Sequence, residues 1–202
     1  DEAQAALSRV ADALPVQPIH GDLTDDNVMG VRGPDSRLHP HTVLDLGDLG
    51  LGWRVAELAV CASSMLHHEP DRPLRALDTI GAFHADAPLS RDESLAVWPL
   101  LVLRAALLVA SGWRQLEIDG DNDYARERIA GEQAIFEAAT AVPLVEATEH
   151  VLARLGSDAR EFDARGLAGD VIGFLPDVSG PLQVIDAGVD ADALDAGRWI
   201  AP

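Results

Sequence analysis

At 202 residues the chain is long enough for one well-buried domain, or for one lobe of a larger one. Its formal net charge of −19 repels polyphosphate backbones, which excludes nucleic acid as a favoured partner and instead draws cationic small molecules toward any acidic cleft. All 15 basic residues are Arg, and with Cys61 alone no disulfide can form within the chain.

In chain order, Leu7, Val10, Ala11 and Leu14 form the apolar stripe of an amphipathic helix over residues 1–14, stopped by Pro15 and Pro18 and expected to pack behind the segment that follows. Val16 to Ile19 reads as a short extended run. Val28 to Val31 and Thr42 to Leu46 read as strands of one small hairpin, and Arg32 to His41 as a mobile excursion between them. From Trp53 to Leu66 the residues Val55, Leu58, Ala59, Ala62, Met65 and Leu66 recur at helical spacing, until Pro70 and Pro73 break the pattern. Cys61 falls in that helix as a small buried hydrophobe. A shorter helix runs through Leu74, Leu77, Ile80 and Phe83. Ser90-Arg91-Asp92-Glu93 is a capping box that opens the longest helix, whose Leu95 to Trp113 stretch is apolar but is interrupted by Pro99 and Arg104. Its apolar runs fall short of the roughly 18 residues of a membrane span, so it is expected to be a central buried helix, with Trp98 and Trp113 in the core. Asp123 to Ala141 and Pro143 to Leu155 predict two further helices, with Gly156 as a stop. Beyond Gly166 the texture turns to short β-prone runs among Gly, Pro and Asp. Residues 1–168 are therefore expected to form the main unit, and 169–202 a linker or the start of another domain.

The chemistry-bearing stretch is Ile19-His20-Gly21-Asp22-Leu23-Thr24-Asp25-Asp26-Asn27, followed by Asp45-Leu46-Gly47. In the kinase pattern H-R-D-x-x-x-x-N, the Asp accepts the proton of the attacking hydroxyl, and the Asn five positions on holds a magnesium ion. Asp22 and Asn27 have that spacing, and Asp45-Leu46-Gly47 is similar to the D-F-G element whose Asp bridges metal and phosphates. Asp25, Asp26 and Asp48 read as solvated turn charges, with extra metal ligation the lesser alternative, and His39, His41, His67 and His68 as surface or packing residues whose spacing fits no zinc pattern.

With His20-Gly21-Asp22 in place of His-Arg-Asp, the loop resembles the aminoglycoside phosphotransferase and choline kinase family. In that family an acidic residue twelve positions after the metal Asp buttresses the loop, and Glu57, in Glu57-Leu58-Ala59, stands at that distance from Asp45. Ser111-Gly112-Trp113-Arg114 and Asp121-Asn122-Asp123-Tyr124 resemble phosphotransferase segments of large bacterial proteins that also carry a class III aminotransferase domain. The resemblance implies an α+β, predominantly α-helical fold: the C-terminal lobe of a protein-kinase-like enzyme, with a small β-hairpin at the catalytic loop. It implies Asp22 as the catalytic residue, His20 and Glu57 as supports, Asn27 and Asp45 as metal ligands, and ATP and Mg²⁺ as cofactors. The acceptor would be a hydroxyl of a small, amine-bearing and cationic molecule, an amino alcohol or aminoglycoside. The phosphate-holding Lys of such kinases would have to lie upstream, because this chain has none.

The start at Asp1 and the end at Ala201-Pro202 read as those of a fragment, inactive alone and part of a larger multidomain enzyme with an upstream nucleotide-binding lobe. A cytoplasmic setting without membrane association is expected, since no signal peptide is evident. Two alternatives compete with the kinase reading. One is a non-catalytic, pseudokinase-like scaffold, and the weaker one is a metal-dependent hydrolase built from His20, Asp22, Asp45 and His41.

Overall fold

The computed structural model describes residues 2–156, so the boundary expected near 168 and the segment 169–202 lie outside the described residues. The described part is mostly helical with two small antiparallel ribbons, an α+β arrangement. Helix α1 (Glu2–Ser8) is shorter than the apolar stripe suggests, and Ala11–Ala13 forms a separate 3-10 turn. Leu14 stands before Pro15 and is extended, as steric contact with the proline ring requires, so the helix cannot run on. Leu7 and Leu14 are still buried, and α1 packs chiefly on the long helix α4.

Strand β1 (Val16–Ile19) pairs not with the neighbouring hairpin but with β4 (Gly50–Trp53), Val16 facing Trp53 and Ile19 facing Gly50. The second ribbon is formed by β2 (Val28–Arg32) and β3 (Leu38–Val43), with an irregularity between Met29 and Gly30. The expected excursion over residues 32–41 is thus half strand: Arg32 and residues 38–41 lie in the ribbon, and the chain turns between Gly33 and Arg37, where two backbone hydrogen bonds close it. Pro40 is accommodated because a two-stranded ribbon consists of edge strands, which tolerate a missing N–H. Residues 20–49 therefore form one excursion whose two ends are tied together by the β1–β4 ribbon.

The helical body follows. Helix α2 (Arg54–His68) buries Val55, Leu58, Ala59, Ala62 and Leu66, and α3 (Ala76–Asp86) adds Ile80 to the same core. Helix α4 (Arg91–Ile118) begins at the expected capping box: Ser90 Oγ accepts the Glu93 N–H at 3.2 Å, and Glu93 Oε2 accepts the Ser90 N–H at 2.9 Å. Among the described residues α4 is the one helix long and apolar enough to cross a membrane, yet it packs against α1, α2, α5 (Asp123–Ala141) and α6 (Leu144–Leu155). Trp98 is fully buried, its indole N–H donating to the Ala139 carbonyl at 3.3 Å, whereas Trp113 is 54% exposed. The core expectation fails for Trp113 because past Ala105 only Gly112 of α4 is buried, so the last turns extend beyond the packed layers.

A buried ion pair locks the start of α2 to the start of α4. Arg54 Nε and Nη2 reach Glu93 Oε1 and Oε2 at 2.8 and 2.7 Å, and Nη2 also donates to the Pro88 carbonyl at 2.9 Å. Glu93 thus serves both the α4 cap and the start of α2.

Candidate active site

The loop after β1 is shaped first by its glycine. Gly21 has φ +83°, and a Cβ there would lie 2.8 Å from the Asp48 carbonyl oxygen, so a side chain would be strained and would collide with backbone. That close approach seats the loop directly against the segment following β3. Two further ties join the same pieces. His20 is buried: its Nδ1 accepts the Asp22 N–H at 3.3 Å, which puts the ring proton on Nε2, and Nε2 donates to the Leu44 carbonyl at 2.8 Å. The Leu44 N–H in turn donates to the Asn27 carbonyl at 2.8 Å.

Asp22 and Asn27 meet within the loop. Asn27 Nδ2 donates to the Asp22 carbonyl at 2.8 Å and to Asp22 Oδ2 at 3.2 Å, which leaves Asn27 Oδ1 turned the other way. Asp22 Oδ1 forms an ion pair with Arg104 of α4. Asp45 takes the left-handed conformation, φ 55° and ψ 73°, which Asp tolerates better than most residues, and its Oδ1 accepts the Gly47 N–H at 3.3 Å. The structure thus brings Asp22, Asn27 and Asp45 to one end of the β2–β3 ribbon, with no hydrogen bond between Asn27 and Asp45 among the described residues.

One face of α2 grips the loop from below. Glu57 Oε2 accepts the Gly21 N–H at 2.9 Å and Oε1 the Leu23 N–H at 3.1 Å. One turn on, the Cys61 thiol donates to the Leu23 carbonyl at 3.0 Å. Burial first, and then the charge of Glu57, push this thiol up to about 11, so it stays a neutral donor rather than a nucleophile. Farther along the helix, Ser64 Oγ donates to Asp25 Oδ1 at 3.1 Å, and His68 Nε2 lies 2.6 Å from Asp25 Oδ2. Residues 57, 61, 64 and 68 recur at four, three and four, the spacing that places side chains on one helix face.

Asp25 is therefore not the free turn charge its sequence context suggested. Burial opposes its ionisation, but the hydrogen bonds from His68 and Ser64, together with the His68 charge, outweigh it and hold the carboxyl below its ordinary range. Sequence reasoning also missed Arg104. Its signal was there: it is the one charged residue between Leu95 and Trp113.

Among the described residues no group of three or more His, Cys, Asp and Glu side chains is placed to hold a metal ion. Both ring nitrogens of His20 are engaged in hydrogen bonds, which leaves that ring no free lone pair for a metal, and His41 Nδ1 meets its neighbour Thr42 Oγ1 at 2.9 Å. What the loop offers instead is hard oxygen. Asn27 Oδ1 and Asp45 Oδ2 accept no hydrogen bond among the described residues, and such donors suit Mg²⁺.

Residues 1–93 match the family model of the phosphotransferase enzyme family, APH. The matched stretch runs from α1 to the capping box of α4 and contains His20, Asp22, Asn27, Asp45 and Glu57, while Arg104 lies beyond it. No curated protein and no solved structure matches the chain. The match supports a kinase-like phosphotransferase at the general level, of a family whose members generally use ATP and Mg²⁺.

Proposed function

We propose that this chain is the catalytic-loop lobe of an ATP-dependent phosphotransferase that acts on a hydroxyl of a small amine-bearing molecule, an amino alcohol or aminoglycoside. The observation that carries the reading is the Asp22–Asn27 arrangement: the Asn27 amide nitrogen is spent on Asp22, so its oxygen is left for a metal, and Asp45 follows at the same end of the ribbon. Asp22 accepts the proton of the acceptor hydroxyl while that oxygen forms its bond to the γ-phosphorus and the bond to the ADP oxygen breaks. Asn27 Oδ1 and Asp45 would hold Mg²⁺, which when bound neutralises charge on the transferring phosphoryl group. His20 and Glu57 touch no substrate. They fix the loop's backbone through Leu44, Gly21 and Leu23.

The nucleotide also needs a cation and a cover from above, which this chain without Lys does not supply. Met29 and Val31 on one face of the ribbon beside the site, and Leu38 and Val43 on the other, are each about half exposed or more, apolar surface of the kind that a second body would cover. An upstream nucleotide-binding lobe fits that place, and an aminotransferase-type domain downstream would act on the phosphorylated product. The test is transfer of labelled γ-phosphate by the full-length protein to a panel of amino alcohols and aminoglycosides. At least one amine-bearing acceptor should be labelled, in a Mg²⁺-dependent way. Binding of ATP without transfer to any acceptor would favour the scaffold reading instead.

A further inference from the structure

The interior of α4 carries one charge, Arg104, in an otherwise apolar run from Leu95 to Gly112. Such a charge is costly unless it is paired. Its partner is Asp22, 82 residues away in sequence, and both side chains are mostly screened from solvent, at 22% and 30% exposed. The Asp22 carboxylate is thereby held at both oxygens: Oδ2 by Asn27 Nδ2 from within the loop, and Oδ1 by Arg104 from the helical body. Two donors on two oxygens fix the carboxylate plane and leave one lone pair on each oxygen for a hydroxyl. The guanidinium keeps its charge at any working pH. The pairing has a directional cost, because Arg104 Nε is buried without a hydrogen-bond partner, as is Oε2 of Glu132 on the facing helix α5. Burial raises the Glu132 carboxyl, an effect that the charges of Arg128 and Arg104 only partly offset, so Arg104 lies within electrostatic reach of a second acid yet spends its hydrogen bond on Asp22. A helix-to-loop strut needing only packing would use an apolar residue here.

We infer that Arg104 is a positioning residue for Asp22, orienting the carboxylate that receives the acceptor's proton. The inference rests on the proposed function, and it concerns a residue outside the stretch that matches the phosphotransferase family. Arg104 acts through Asp22, so its loss should slow the transfer step and leave substrate binding nearly intact. A misdirected base costs on the order of 100-fold in rate even when the displacement is small.

The test uses the full-length protein with its best acceptor and compares wild type, Arg104→Lys, Arg104→Met and Asp22→Ala. For Arg104→Met, kcat should fall about 100-fold, with the KM values for ATP and acceptor within about 3-fold of wild type. For Arg104→Lys, which keeps the charge but loses the planar fork, the fall should be about 10-fold at an unchanged melting temperature. If Arg104→Met does not fold, Arg104→Lys decides alone. Wild-type kcat in folded Arg104→Lys and Arg104→Met, with Asp22→Ala inactive, would overturn the inference and leave the proposed function standing. A loss confined to KM or to the folded fraction would likewise overturn it, showing a merely structural tie. Activity retained in Asp22→Ala would overturn the proposed function itself.

Discussion

At the scale of single residues, the loop owes its shape to partners on its backbone, from Glu57 and Cys61, as well as on the carboxylates of Asp22 and Asp25. Glu57 satisfies two loop N–H groups at once, so Glu57→Ala leaves both without their charged acceptor and should cost about 1–3 kcal/mol by chemical denaturation. Glu57→Gln, which retains one carbonyl acceptor, should recover part of that loss. For Asp25 the sign of the pH effect is fixed by its lowered carboxyl. The contribution of the His68 and Ser64 contacts is fully present above the ordinary carboxylate range and is lost as pH falls through the lowered folded value. Asp25→Asn should therefore be less stable than wild type at pH 7, by no more than about 1 kcal/mol for so exposed a pair, and the difference should shrink as pH falls below the ordinary carboxylate range. Cys61, with its thiol pushed up to about 11, should react slowly with alkylating agents at pH 8, where only about one thiol in a thousand is ionised. Rapid labelling of the folded protein would contradict the burial and the Leu23 hydrogen bond.

At the scale of elements, local chemistry was legible and distant pairing was not. The start of α4 was readable because Ser90 and Glu93 cap each other within four residues, and the limits of α5 followed the apolar spacing from Asp123 to Ala141. Strand β4 was invisible because Gly50-Leu51-Gly52-Trp53 has no β-branched residue and becomes a strand only through β1, more than thirty residues upstream. The ion pair of Arg54 with Glu93 was hidden for the same reason, the partners standing 39 positions apart. Both side chains are almost wholly buried, so Glu93→Ala strands a guanidinium in the interior and also removes half of a capping box. It should destabilise the folded state by about 3–5 kcal/mol in urea titration, more than any of the loop substitutions.

At the scale of the whole molecule, α2 and α4 make a rigid floor from which a single loop is addressed twice. Helix α2 holds its backbone with Glu57 and Cys61, and α4 reaches its carboxylate with Arg104. The candidate residues His20, Asp22, Asn27 and Asp45 were singled out by a motif and a family resemblance because they lie within one excursion of the chain, whereas Arg104 and His68 reach the loop only through the packing of the helices. The same packing explains why Trp113, which shares the apolar texture of α4 with Trp98, ends near solvent while Trp98 is buried beneath α5.

The most direct test of this account is the rate of phosphate transfer by the full-length protein carrying Asp22→Asn, a change that keeps the side chain's shape and removes its capacity to take a proton. Transfer from ATP to the best acceptor should fall at least 100-fold, the lower end of what a general base contributes, while ATP binding stays close to wild type and the protein stays folded. Transfer at the wild-type rate by folded Asp22→Asn would contradict it.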